Sequence, residues 1–331
     1  MTLRPPSADY QLPRLVRKCH LALEQQGTAL SAALQEFALI SPADGCPWEA
    51  DVVTASRADE HVRAAQQRLL EWCQHQARLI YVNGHDHLTS MGRLLGGDGA
   101  MSLYAHVTLS RSVCEAAVRH AWLLDPSISY GERITRSAAM LSYNIGNRLK
   151  GARQGLGRGA DSRIAQPIIA KCAAEFDDIH ELIQHAGLDV VYDRNGHDVA
   201  SVKLPGTGVK VPVKFETGPL MEELLPESPG WYLQSSGISH SATWLLDGAV
   251  LEGRGGPELS FTPDLMEVAA ATQTAISASG LIIERHAAYY GFDPEPHVRK
   301  SRHRRGMLDA LTREHRVKQA TDPLPLMQAM P

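Results

Sequence analysis

Apolar residues recur every three or four positions through most of the first 187 residues, a spacing typical of amphipathic helices. The pattern predicts helices over residues 10–40, 56–84, 100–124, 129–149 and 162–187. Asn83-Gly84 is a helix-stop signal, and Gly27 is placed to bend or split the first helix. The residues around Gly45 and Trp48 are predicted to form a loop.

The hydrophobic period changes from 3.6 to 2 after Leu188. Asn195-Gly196 lies between two runs rich in β-branched residues and is a strong hairpin signal. A third alternating run, over 209–215, predicts an edge strand, because Pro212 cannot donate to a ladder. Helical spacing then returns, and it predicts helices over residues 218–225, 230–246 and 262–290.

These elements predict a mainly α fold, a multi-helix bundle with a small antiparallel β-hairpin or three-stranded insertion. Apolar stripes on both sides of the insertion predict one contiguous core. We expect the chain to divide into five segments. An N-terminal helical segment covers residues 1–84, a central helical core covers 85–187, and the β insertion covers 188–216. C-terminal helices that complete the core cover 217–296, and a basic, partly disordered tail covers 297–331.

Composition excludes several classes of protein. The 331 residues include 33 basic and 37 acidic side chains and are 44% hydrophobic, which argues against a disordered chain and against a generally basic nucleic-acid binder. The sequence starts without a signal-type apolar run and has no uninterrupted apolar stretch of membrane-spanning length, so we expect a cytoplasmic protein. The five cysteines never form a CxxC pair, and we predict no disulfide framework, no metal and no cofactor.

The most informative charged residues lie on otherwise apolar helices. Arg111 and Glu115 are four residues apart and share one helix face. Burying such a pair is costly unless it is fully satisfied, so it is either an internal ion pair or part of a polar pocket. Arg133 and Arg136 on the following helix either turn toward Glu115 or form a solvated face.

Polar residues at helical spacing also occur in the C-terminal half. Tyr232, Ser236 and His240 form a single stripe, which serves either helix packing or a pocket. His87 follows a capping residue, Asp86, and is placed to point toward Arg111. The candidate catalytic residues are therefore Arg111, Glu115, Arg136 and His240, and the candidate binding residues are His87, Arg133, Tyr232 and Ser236.

The tail from residue 297 is basic and has few apolar residues, so we predict that it does not form a core helix. Its charge is concentrated in one short run, which either contacts nucleic acid or an acidic partner or is simply solvated. The residues of this run are Arg299, Lys300, Arg302, Arg304 and Arg305.

A family resemblance adds one function. Residues 109–126, followed by Arg133, Arg136 and the stretch 232–240, resemble helical proteins of high-GC actinobacteria that are similar to the DUF5677 family, itself grouped with HEPN-type domains. The resemblance implies a nuclease or another defence-type effector. HEPN ribonucleases use an Arg-x4–6-His motif, which occurs here three times, roughly as often as chance predicts. None of the three lies in the resembling segments, so the motif itself gives no support.

Three functions stay open from the sequence, and each has a structural test. Convergence of Arg111, Glu115, Arg136 and His240 on a pocket would favour a small-molecule enzyme. A basic groove joined to the tail would favour the HEPN-like nuclease. A flat apolar patch or the two-fold interface of a homo-oligomer would favour a helical binding or regulatory protein without catalytic activity.

Overall fold

The computed structural model describes residues 13–97, 102–157, 161–196, 198–242, 250–252, 259–261 and 263–321. Within these residues the chain forms ten helices, which confirms the mainly α fold. Helices α1 to α5 are Arg14–Leu39, Pro47–Ser56, Glu60–Gly96, Ala105–Leu123 and Tyr130–Gly157. Helices α6 to α10 are Ser162–His185, Thr217–Leu224, Trp231–Ser239, Leu265–Tyr290 and Glu295–Thr321.

Helix α9 lies at the centre of the bundle and packs against α1, α3, α4 and α10. By length and composition it could cross a membrane, with a mean hydropathy of 1.2 over its most apolar window. However, 72% of that window is buried inside the protein. Its apolar side chains are therefore accounted for by the core that the surrounding helices share.

Helix α3 continues through Asn83-Gly84, so the predicted helix end there is wrong. A Cβ atom on Gly84 would lie 3.0 Å from Ile282 Cδ1 and 3.3 Å from Ala116 Cβ. The glycine thus permits α3 to pack closely on α4 and α9. Gly27 has a similar place inside an unbroken α1, where an added Cβ would lie 2.9 Å from Thr89 Cγ2.

The predicted β insertion is confirmed. Strands β1 (Asp189–Tyr192), β2 (Val199–Lys203) and β3 (Lys210–Pro212) form an antiparallel sheet in that order. Gly196 takes the left-handed φ of +70° in the connection between β1 and β2. A second hairpin, of β4 (Val250–Glu252) and β5 (Leu259–Phe261), was not predicted, and the residues between its strands lie outside the described part of the chain.

Helix α2 replaces the loop that was predicted around Gly45 and Trp48. Pro47 occupies the first helical turn, where its missing N–H costs nothing. The Cys46 sulfur accepts a hydrogen bond from the Glu49 backbone N–H at 3.4 Å and caps the helix. A proline within this segment was therefore a helix-start signal.

The prediction that the tail forms no core helix is wrong for residues 297–321. Helix α10 packs against α1 and α9, and its Val298 and Leu308 are buried. The Gln26 amide on α1 donates a hydrogen bond to the Ser301 hydroxyl at 2.9 Å. Val298 and Leu308 lie on the face of α10 that meets the core, so few apolar residues are enough to attach it. Residues 322–331 lie outside the described part of the chain.

Candidate functional site

The Arg111–Glu115 pair forms as predicted from its spacing, but it is not the centre of an interior network. Arg111 Nε lies 2.8 Å from Glu115 Oε1, and the two side chains are 17% and 28% exposed. The Arg111 guanidinium lies 5.2 Å from the centre of the Tyr232 ring. The pair therefore joins α4 to α8 at a partly hydrated contact.

The four candidate catalytic residues do not converge. Arg136 donates a hydrogen bond to Glu132 at 2.6 Å and packs on the Trp122 ring. Trp122 lies about 16 Å further along the axis of α4 than Arg111. His240 is exposed at the C-terminal end of α8. Among the candidate binding residues, Tyr232 contacts Arg111, whereas His87 and Ser236 are partly buried within α3 and α8. The geometry that would favour an enzyme built on these residues is absent from the described structure.

The buried polar network is instead centred on Arg133, which is 0% exposed. Its guanidinium donates to Asp51 Oδ2 at 2.7 Å and to the Leu123 and Asp125 carbonyl oxygens at 2.8 and 2.9 Å. The Tyr289 hydroxyl donates to the same Asp51 oxygen at 2.9 Å. Burial raises the pKa of Asp51, although Arg133 and Tyr289 oppose the shift. This network joins α2, α5, α9 and the end of α4.

A second polar cluster, of two histidines and a tyrosine, lies beside this network. His286 Nδ1 lies 3.4 Å from His120 Nε2, and the two rings stack with 20° between their planes. Tyr81 meets both rings edge-on and donates its hydroxyl hydrogen to the Leu30 carbonyl at 2.6 Å. Burial lowers the pKa of both histidines, and for His286 the pKa falls to about 4, with a smaller contribution from Arg78. His286 is therefore neutral at pH 7.

His286 lines an open cavity of about 480 Å³, which we call the aromatic cleft. It lies where the end of α1, the start of α2, the middle of α3 and the end of α9 meet. Its lining residues are Leu34, Phe37, Ala38, Ile40, Pro42, Trp48, Gln74, Arg78, His286, Tyr290 and Phe292.

The aromatic rings of the cleft hold one another in place. Phe37 stacks on Phe292 at a centroid distance of 5.0 Å and on His286 at 5.7 Å. Tyr290 packs on His286 at a centroid distance of 4.8 Å, and Trp48 lies 6.3 Å from Tyr290. Rings that pack this way lose little further freedom when a planar molecule enters, so the apolar surface is preorganised.

A larger cavity, of about 680 Å³, lies between α3, α5 and α6. Five of its lining residues carry a formal charge, namely Arg68, Arg148, Glu175, Asp178 and Glu181. Arg148 and Glu175 neutralise each other at 2.7 Å, with 59% and 31% of their side chains exposed. Both cavities have a largely apolar lining, as ligand sites usually do, and the aromatic cleft has fewer formally charged lining residues.

The basic run of α10 is largely engaged in contacts within the protein. Arg302 bonds Glu284 and Glu295, each at 3.2 Å. Arg305 pairs with Glu227 at 3.0 Å, and Arg304 donates to the Gln26 side chain at 2.7 Å. Arg299 and Lys300 are exposed. Three of the five side chains thus attach α10 to the bundle, which does not support the predicted arm for nucleic acid or an acidic partner.

Comparisons with known proteins add no identification, since no family model, curated protein or solved structure matches the chain. The resemblance to the DUF5677 family therefore stays a prediction. Within the described residues, no three His, Cys, Asp or Glu side chains are grouped to hold a metal ion. All five cysteines are buried and free.

Sequence reasoning missed the residues that form the cleft and its histidine pair. His120 and His286 each lie in an apolar helical run, and that local signal was available for both. Arg78 was not among the candidate residues. Nothing local relates these three positions to Phe37 and Trp48, which come from distant parts of the chain.

Proposed function

We propose that this protein is a helical binding protein whose aromatic cleft takes a small, planar, largely apolar molecule. The observation that carries the proposal is the cleft itself, with its stacked rings fixed around a buried, neutral histidine. Its volume of about 480 Å³ lies within the range of about 300–1,000 Å³ typical of ligand pockets. As part of the same proposal, the protein acts in the cytoplasm and carries no catalytic step.

The expected affinity follows from the apolar surface that the cleft can cover. A two-ring ligand that buries about 200 Å² of apolar surface gains about 5 kcal/mol at roughly 25 cal/mol per Å². Stacking on preorganised rings adds about 0.5–1.5 kcal/mol. Dissociation constants between about 10 μM and 1 mM are therefore expected for a simple aromatic probe.

The test is calorimetric titration with a neutral probe, naphthalene-2-carboxamide. Ala38 is exposed and lines the aromatic cleft, so Ala38→Trp fills the cleft without disturbing the core. Ala32 is exposed on the same helix and lies outside the cleft, so Ala32→Trp is the matched control.

We expect the wild-type protein and Ala32→Trp to bind the probe equally, and Ala38→Trp to bind it at least about tenfold more weakly. Thermal unfolding of both variants confirms that they are folded. Failure of the wild-type protein to bind at the solubility limit, or equal binding by Ala38→Trp, contradicts the proposal.

A further inference from the structure

We infer that the ligand of the aromatic cleft is a planar aromatic anion whose acidic group, a carboxylate or a chemically similar oxyanion, binds Arg78 at the rim. The inference rests on the proposed function and specifies the chemical class of the ligand.

The charge of the cleft is the first argument. Arg78 is the one lining residue with a formal charge at pH 7, because His286 is neutral and the lining contains no Asp or Glu. Arg78 is exposed, and within the described residues no carboxylate lies within salt-bridge distance of it, a property that it shares with Arg68. A free cation beside an apolar surface selects a ligand that supplies the missing negative charge.

The position of Arg78 gives the second argument. Gln74 lies one helical turn before Arg78 on α3, and both line the cleft, so their side chains are neighbours on one face. A guanidinium and an amide N–H₂ together offer donors to both oxygens of a carboxylate. The aromatic part of the ligand would then extend over the rings of Phe37, Tyr290 and Phe292.

The electrostatic reach of Arg78 is consistent with this placement. Burial is the largest cause of the lowered pKa of His286, and the positive charge of Arg78 is the second. Burial raises the pKa of Tyr290 to about 12, and the charge of Arg78 acts on that pKa in the opposite direction. Its field therefore acts on both of these ring residues. The same field repels an aromatic cation, which the ring faces alone would attract.

The experiment compares three probes of nearly equal shape, namely naphthalene-2-carboxylate, naphthalene-2-carboxamide and 2-naphthylmethylammonium. Each is titrated calorimetrically into the wild-type protein, Arg78→Gln and Arg68→Gln at low ionic strength. Arg68 lies on the same helix but lines the larger cavity, so its variant is the matched control.

We expect the wild-type protein to bind the carboxylate about three- to fivefold more tightly than the carboxamide and to bind the ammonium most weakly. Arg78→Gln should remove this preference because it weakens the binding of the carboxylate more than that of the carboxamide, while Arg68→Gln should keep the preference. Added salt should weaken only the carboxylate, because the rim contact is exposed to solvent.

Two outcomes overturn the inference, namely equal binding of carboxylate and carboxamide by the wild-type protein, and a carboxylate preference that persists in Arg78→Gln. Either leaves the proposed function standing, because the carboxamide still binds. Absence of binding by all three probes contradicts the proposed function itself, so the two failures are distinguishable.

Discussion

The substitution Asp51→Asn tests which ion pair organises the interior of this protein. Arg133 has no exposure to solvent, and Asp51 provides its carboxylate partner at 2.7 Å. Replacing Asp51 by Asn keeps the shape of the side chain and leaves the guanidinium with three carbonyl contacts, from Leu123, Asp125 and Ile128. The Tyr289 hydroxyl also loses its charged acceptor.

The size of the effect follows from burial. Removing one member of a buried ion pair costs about 3–5 kcal/mol, because the other charge is left without compensation. Glu115→Gln is the matched comparison, since it removes the same charge from a pair that is partly exposed. Solvent screens that pair, so its loss should cost less than about 1 kcal/mol.

The assay is chemical denaturation of the wild-type protein and both variants at pH 7, with the unfolding free energy extrapolated to water. We expect Asp51→Asn to lose several times more stability than Glu115→Gln. A loss below about 1 kcal/mol for Asp51→Asn would refute the buried network. A loss of about 3 kcal/mol or more for Glu115→Gln would show that the contributions of the two ion pairs to stability do not follow their burial.

Three further predictions concern the histidine pair and α10. Because the pKa of His286 is about 4 when folded against 6.5 when unfolded, its stabilising contribution is full above about pH 6.5 and is lost toward pH 4. His286→Phe should therefore flatten the fall in unfolding free energy between pH 7 and 4.5, and an unchanged slope would contradict this. Leu308→Ala should cost about 2–4 kcal/mol in denaturant unfolding, and deletion of 297–331 should lower the melting temperature by many degrees. An unchanged melting temperature would mean that α10 is not docked.

Local sequence signals were sufficient for most of the fold. Helical and strand periods are set by neighbouring residues, so the long helices and the β insertion after Leu188 could be predicted. Gly84 and the tail show where such signals fail. The same glycine that can end a helix also permits close packing, and only Ile282 and Ala116, distant in sequence, decide between the two roles.

The polar interior was harder to predict for the same reason. The sequence shows that Arg111 and Arg133 both lie on largely apolar helices, but it does not show which of them is fully buried against a carboxylate from another helix. The partner of Arg133 is Asp51, which is 82 residues away in sequence and lies on α2, a helix that was not predicted. His120 and His286 are 166 residues apart and become neighbours only through the packing of α4 on α9.

A crystal structure of the protein with bound naphthalene-2-carboxylate tests the central claim most directly, because it locates both parts of the ligand. The account predicts that the naphthalene rings lie in the aromatic cleft against Phe37, Tyr290 and Phe292. It also predicts a carboxylate oxygen about 3 Å from an Arg78 nitrogen. A ligand bound instead in the larger cavity between α3, α5 and α6, with the aromatic cleft empty, would contradict it.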